Sequence, residues 1–385
     1  MVDISGRLKE QERERQRLGI SFAYLDQQHN AQMLSVNRSC PIVADFTICF
    51  ERGPHFFQWP ELVYNTYHYM GAFRGEALVS YSMGAFIPTV TPTGPERFFY
   101  GGDARVLGAY RGLNLSVLGL RRMMRDVIPD DINLGVGLVA RGNDSAEQIV
   151  QTQQWDHFRS RPLCGYEAIN IILLRKMRSS MNINVDVQNA RIEDIEEIAA
   201  LFAFCYQRRL FGPVIPPEKL ARDVEEIPGL PIERYYVARK RGRIVGVVAA
   251  WDHSVYKRTV VLRLSPRGKL IRLGYQMGRV IFRNAAPLPN AGEAFRSVTL
   301  TRVAIEDRDP SILRALLDAV INDHIGRGYH MLHLGLREGD PLLKATQGLF
   351  VQRFRSRLTL FLRQGRRLEQ HYDKENDPYL DIALI

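Results

Sequence analysis

Cysteine is scarce in this chain of 385 residues: Cys40, Cys49, Cys164 and Cys205 are the only four, they are widely scattered, and no C-x-x-C pair occurs. That excludes a disulfide framework and argues against a zinc ribbon. Long apolar runs are missing too. None reaches the roughly 18 residues of a spanning helix. The first thirty residues lack the apolar centre of a signal peptide and instead carry the charged run from Gly6 to Arg15. The expected location is the cytoplasm, with no transmembrane segment. Acidic residues are outnumbered, 42 Asp and Glu against 52 Lys and Arg, leaving a net charge of +10 and a pI near 9.5. The surplus suggests an anionic partner without separating nucleic acid, a membrane and a phosphorylated small molecule. Against these shortages, 45% hydrophobic and 24% charged residues are ordinary for a globular protein and exclude disorder. The length exceeds what one core usually fills, so two domains are expected.

Residues 5–18 are charged on every side and read as a solvated helix. Strands follow. Phe46–Phe50 is short and apolar, Tyr67–Phe73 and Ala77–Tyr81 flank an Arg74-Gly75 turn, and Phe98–Leu107 precedes a helical stretch over Leu113–Val127. Ile132–Val139 reads as a strand, Ser145–Gln153 as a helix and Ala168–Leu174 as a closing strand. The pattern then restarts: a strand at Val185–Val187, a periodic helix at Ile192–Phe202, and strands Tyr235–Ala238 and Ile244–Ala250 around Arg241-Gly242. Strand Val298–Ile305, helix Ser311–Ile325, strand Met331–Leu336, a helix opening at Pro341–Thr346 and strand Arg357–Leu362 complete it. Arg105 and Arg302, Arg111 and Arg308, and Gly142 and Gly339 are each 197 residues apart. One offset spans strand, helix and strand without a gap, so the chain reads as a duplication. The domains are 1–180 and 181–385, the second carrying an insertion over about 252–294.

The sharpest local feature is the strand-to-helix turn Val106-Leu-Gly-Ala-Tyr-Arg111-Gly112-Leu113-Asn114-Leu115-Ser116. A helix start offers unpaired N–H groups and the positive end of its dipole. Small residues let a phosphate come close, and Arg111 adds charge. This is how a pyrophosphate cradle is built. In the second copy, Arg308-Asp309-Pro310-Ser311 puts acid at the same place, with Glu306 and Asp307 beside it. Asp309 there makes sense as a cap before Pro310, and an anion would be repelled.

The first turn resembles the acyl-CoA-binding motif of the GNAT superfamily of N-acyltransferases, Arg/Gln-x-x-Gly/Ala-x-Gly/Ala after a strand ending in Val-x-Pro-x-Tyr. Arg111, the Tyr110-Arg111-Gly112 triplet and Leu115 match, whereas Asn114 and Ser116 stand where small residues usually stand. The order of elements from about residue 40 onward resembles a tandem GNAT protein. The resemblance implies an α+β (α/β) fold of two GNAT-like domains, each a mixed, mostly antiparallel sheet flanked by helices. It implies acetyl-CoA or another acyl-CoA as co-substrate, held by Arg105, Val106, Leu107, Arg111, Gly112, Leu113, Asn114, Leu115 and Ser116. Asn143 matches the Asn that meets the pantetheine arm.

The resemblance also implies direct attack of an amine on the thioester, with a base for the amine and an acid for the thiolate. The family's usual carboxylate position holds Tyr100, and Asp103 lies nearer the valine, after Gly101-Gly102, which could hold a bulge. The usual acid position holds Val150, and Gln347 in the second copy, so protonation would fall to water or to a tyrosine such as Tyr166. Tyr100, Asp103 and Tyr166 are the candidate catalytic residues. Each also has a structural reading, as packed aromatic or turn carboxylate. His330 and His333 lie three apart on a strand and so point to opposite faces, which argues against a metal pair. Cys164 reads as a small buried residue.

From His253 to Gly292 there are eight basic residues and no acid. Three readings stay open for this insertion: a cover between the halves, a wall of the acceptor site, or a contact with an anionic membrane or nucleic acid. No nucleic-acid module accompanies it. The functional expectation is an acyl-CoA-dependent N-acyltransferase, acetyl first, with donor in the N-terminal half and an amine-bearing acceptor left open. A non-catalytic acyl-CoA-binding or sensing protein and a polyanion-binding scaffold are the alternatives. Oligomeric state is open.

Overall fold

A computed structural model describes residues 4–91, 94–143, 146–147, 150, 155–178, 185–207, 209–365 and 377–385. The first half runs α1 (Ile4–Arg17), β1 (Ile20–Leu25), α2 (Asn30–Arg38), β2 (Phe46–Glu51), α3 (Gln58–Val63), β3 (Thr66–Arg74), β4 (Ala77–Thr91), β5 (Gly94–Val106), α4 (Leu115–Asp126), β6 (Leu134–Ala140) and β7 (Phe158–Ile172). The second runs β8 (Asp186–Asn189), α5 (Ile195–Tyr206), β9 (Gly212–Pro213), α6 (Pro217–Glu226), β10 (Tyr235–Lys240), β11 (Arg243–Trp251), β12 (Arg258–Leu264), α7 (Pro266–Gly278), β13 (Ala294–Phe295), β14 (Ser297–Ile305), α8 (Pro310–His324), β15 (Met331–Arg337) and β16 (Val351–Arg363). The expected helix at Ser145–Gln153 lies mostly outside the described residues. No described helix is long and apolar enough to cross a membrane.

The main sheet has the order β1-β3-β4-β5-β6-β16-β7-β15-β14-β11-β10-β8, with β9 on β4. It reads the same from either end. In each half the strand before the helix runs parallel to the one after it, β5 with β6 and β14 with β15, and the other pairings are antiparallel. The closing strands are exchanged. β7 of the first half pairs with β15 of the second, and β16 of the second pairs with β6 of the first. Sequence periodicity cannot show this, because it fixes which residues form a strand and not which neighbour the strand takes.

The hairpins follow from turn chemistry. Arg241 and Gly242 both have positive φ, 52° and 82°, as a two-residue turn between right-twisted strands demands. α8 buries Ile312, Leu313, Leu316, Leu317, Val320 and Ile321 against β14 and its neighbours, a stripe at helical spacing. The gapless offset of the duplication is corrected at this level. The bulge in β5 falls at Asp103 and its counterpart in β14 at Arg302, 199 apart, while α4 and α8 start 195 apart, at Leu115 and Pro310. The offset is two residues longer at the bulge and two shorter at the helix start, and it returns to 197 at β6 and β15, whose starts and ends both keep it.

Two further expectations change. β2 leaves the main sheet for a small antiparallel one, β13-β12-β2, in which the insertion of the second half pairs with the first half. The insertion is thus a cover between halves. α1 is not solvated all round: its Gln11 and Arg15 bind the turn before α4.

Candidate functional site

The two halves treat the same strand-to-helix turn differently. In the first half Gly112 (φ 86°) and Asn114 (φ 58°) have left-handed backbones, and Asn114 precedes α4 without a side-chain cap. Its amide donates instead to Gln11 Oε1 at 2.6 Å, while Gln11 Nε2 donates to Gly112 O at 2.6 Å and Arg15 to Leu113 O at 3.0 Å. α1 therefore satisfies carbonyls on the outside of the turn and leaves the first-turn N–H groups of α4 uncapped by side chains. Arg111 is exposed and has no ion pair among the described residues. Val106 and Leu107 pack inward against Ala72, Val79 and Leu115, fixing the turn to the sheet. Leu113 and Ser116 are half-buried on either side of Leu115, and Arg105 turns back to the Ala104 carbonyl. Asn143, just past β6, uses its side-chain oxygen to accept the Ala146 N–H.

In the second half Asp309 accepts the Ser311 N–H at 2.8 Å, and Pro310 removes the next donor. Arg308, which matched Arg111 in sequence, pairs with Asp340 at 2.5 Å and with Asp377. The helix start is closed by its own carboxylate, and the arginine is spent on the interior.

Beyond each turn the parallel strands part. β5 and β6 pair from Phe98–Leu134 to Gly101–Gly137 and then separate, and β14 and β15 pair from Ser297–Met331 to Leu300–Leu334 before doing the same. In the second half the segment 377–385 occupies the parting. The Asp381 carboxylate accepts the Arg302 N–H at 2.8 Å, the Thr301 hydroxyl at 2.7 Å, the Tyr379 hydroxyl at 2.9 Å and the Ala383 N–H at 2.9 Å. A Cβ on Gly335 of β15 would come within 2.8 Å of the Ile382 Cβ and 1.9 Å of the Tyr166 hydroxyl, so only glycine fits there.

From that parting the segment runs into the first half. Tyr166 donates to Leu380 O at 3.0 Å, Tyr64 to Leu384 O at 2.5 Å and Lys257 Nζ to Ile385 O at 2.6 Å. Leu380, Leu384 and Ile385 join a core with Tyr64, Tyr100 and Tyr166. All three candidate catalytic residues lie in or beside this interior. Tyr100 is buried and stacks on Tyr64 at 6.2 Å. Its ring folds over Gly102, where a Cβ would sit 2.6 Å from its hydroxyl. The double glycine thus makes room for a ring, and the bulge comes one residue later. Burial pushes the Tyr100 phenol up, so it stays protonated.

Asp103 (φ 42°) sits at the bulge and accepts from Arg52 at 2.6 Å and Tyr69 at 2.8 Å. Burial works to raise its carboxyl, but Arg52 and Arg105, with the two hydrogen bonds, bring it down to about 2. A carboxylate held there is a weak base, and it serves as the counter-charge of the fully buried Arg52. Tyr166 is committed to the Leu380 carbonyl.

Sequence reasoning missed the residues that complete this interior. Arg52, Tyr64 and Tyr69 carried no local signal. Lys257 was visible only as one basic residue among eight. It is partly buried, its ammonium lies 4.9 Å from the Trp59 ring centre and 5.4 Å from that of Phe50, and desolvation followed by Arg52 lowers it to about 7, with Asp103 acting the other way. Because Lys257 belongs to the insertion, the insertion also forms a wall of the first half's interior. His253 and His333 lie close by and are lowered by burial and by Lys257 to about 3 and about 4, so both are neutral. His330 and His333 have separate partners, Pro287 O and the Asn170 side chain. Among the described residues no three His, Cys, Asp or Glu groups converge as metal ligands. Burial pushes the Cys164 thiol up to about 11, away from nucleophilic character.

No family profile and no curated protein matches the sequence. Solved structures do match the fold. A GCN5-related N-acetyltransferase from Sphaerobacter thermophilus superimposes with a TM-score of 0.58 at 13% identity, over 90% of this chain and 97% of that one. The N-myristoyltransferase of Saccharomyces cerevisiae with bound myristoyl-CoA gives 0.58 at 11% identity, over 90% of this chain and 80% of the other. The chain thus has the fold of GCN5-related N-acetyltransferases, a large mixed sheet flanked by helices, and within it a parallel strand pair parts beside a strand–turn–helix in each half.

Proposed function

We propose that the protein is an acyl-CoA-dependent N-acyltransferase, acetyl-CoA being the first donor to try, and that only the first half takes the donor. One contrast supports this reading. Two copies of the same turn end in opposite ways, an uncapped helix start beside a free Arg111 and a start capped by Asp309 with Arg308 paired inward. Pyrophosphate at the first meets N–H groups and a cation; at the second it meets carboxylates.

In this account the thioester follows β5 into the parting from β6, toward Tyr100, Tyr64 and Lys257. The acceptor nitrogen attacks the thioester carbonyl, the C–S bond breaks, and the CoA thiolate takes a proton from water. The Lys257 amine, neutral in good part at pH 7, receives the proton that the acceptor loses. Tyr100, kept as a phenol, donates a hydrogen bond to the departing sulfur. Asp103 takes no proton and keeps Arg52 paired.

The reading is tested by thiol release with acetyl-CoA and longer acyl-CoAs against a panel of amines. Lys257→Met is expected to lower kcat by about 10²-fold, the usual scale of a general base, and Arg111→Ala to raise the donor KM. A second reading, an acyl-CoA-binding protein without turnover, is favoured by the engagement of Asp103 and Tyr166 in internal contacts. CoA binding with no thiol release across the panel would establish that reading instead.

A further inference from the structure

We propose that α7 and the loop after it dock the protein on an anionic lipid surface. This does not rest on the acyl-transfer reading. The segment turns its apolar residues outward. Leu270, Leu273 and Met277, at i, i+3 and i+7, are 68%, 55% and 68% exposed, and Val280 and Ile281 continue the stripe at 74% and 80%. A helix on a soluble surface does the opposite, placing such a stripe against the core.

The inner side of α7 is already used. Gly268 packs on the Asp45 carbonyl, where a Cβ would come within 2.2 Å. Arg272, Tyr275 and Arg279 donate to the carbonyls of Leu288, Ala286 and Ala285 on the returning chain. The outward face is what these ties leave over. Phe282 meets Phe350 edge-on at 6.2 Å, and the half-exposed Phe350 and Phe354 of the β16 region extend the apolar area.

Charge identifies the occupant. On the outward side the exposed Lys269 and Arg283, with Arg267 at 3.6 Å from Asp45, flank the apolar residues, and no acid occurs from His253 to Gly292. Apolar side chains entering the acyl boundary, with long basic chains reaching the head groups, is the pattern of an interfacial helix. A second copy of this chain would bring the same cations to the contact and be repelled. A protein partner would have to be both acidic and apolar along the stripe; the convex helix offers it no groove.

The test is flotation of the full chain with phosphatidylcholine vesicles and with vesicles containing about one quarter phosphatidylserine, a charge density at which juxtamembrane basic segments respond. Wild type is expected to float with the anionic vesicles at least about tenfold better than with the neutral ones, and to lose this at high salt. The variant Leu270→Gln/Met277→Gln/Ile281→Gln and the variant Lys269→Gln/Arg283→Gln alter exposed side chains only, and each is expected to reduce binding about tenfold with near-UV circular dichroism unchanged. Absence of wild-type flotation, equal flotation with neutral vesicles, or variants that float like wild type would each overturn the proposal. Retention on immobilised poly-glutamate without vesicle binding would overturn it in favour of an acidic protein partner.

Discussion

The Asp381 carboxylate accepts the backbone N–H of Arg302 at 2.8 Å. Arg302 stands at the bulge of β14, the counterpart of Asp103 in β5, so the second parting of strands is held shut by a segment of the chain itself. Asp381→Ala removes the acceptor for four donors and is expected to cost about 1–3 kcal/mol in denaturant unfolding, as buried donors left unpaired do. Tyr166→Phe, which removes one donor to the same segment, is expected to cost about 1 kcal/mol. Stability unchanged in Asp381→Ala would mean that the segment is not seated in the parting.

The Arg52–Asp103 pair gives a pH signature. The folded Asp103 carboxyl, at about 2, lies below its unfolded value of about 3.9. The folded state therefore binds fewer protons than the unfolded one between these values. Its contribution is complete above pH of about 4 and is lost as pH falls toward 2, an effect of about 2 kcal/mol. Asp103→Asn is expected to lower stability at neutral pH, because Arg52 loses its buried counter-charge, and to flatten the acid limb. An acid limb as steep as wild type would contradict the pairing.

Lys257 has the opposite kind of shift. Its folded value of about 7 is below the usual lysine value of 10.5. The unfolded chain binds the extra proton between them, so this residue's burial destabilises the fold fully below pH 7, and the penalty eases as pH rises toward 10.5. Lys257→Met is expected to be more stable than wild type at pH 7 and to lose that slope, read from thermal unfolding at pH 7, 8 and 9. In turnover assays wild type is expected to gain activity as pH rises through about 7, and the variant to lack that limb.

Asn114 holds the turn before α4 in a left-handed conformation. Its φ of 58° suits Gly or Asn and opposes branched side chains. Asn114→Gly is expected to hold stability within about 0.5 kcal/mol and to bind CoA at least as tightly as wild type, while Asn114→Val is expected to cost about 1–2 kcal/mol. Equal stability of the two variants would contradict the left-handed turn.

Most of the fold was legible. Strands and helices with a clear period, such as Met331–Leu336 and Ser311–Ile325, formed within a residue or so of their expected bounds. The capping role of Asp309 was also readable, because a carboxylate before a proline at a helix start is a local signal. What escaped was long-range. Nothing local tells that β7 pairs with β15, that Asp381 reaches Arg302, or that Arg52 lies on Asp103 from 51 residues away. The shift of Lys257 is likewise set by burial that only the packed chain creates. α7 formed despite Gly268, Gly274 and Gly278, since Ser265 caps it and Gly268 is needed against Asp45.

The claim that the halves are alike in fold and unlike in ligand is tested most directly by isothermal titration of CoA into Arg111→Ala and Arg308→Ala. The account predicts one site per chain in wild type, loss of about tenfold or more in affinity for Arg111→Ala, and unchanged affinity for Arg308→Ala, one charge-assisted phosphate contact being removed in the first case alone. Loss of binding only in Arg308→Ala, or two sites per wild-type chain, would contradict it.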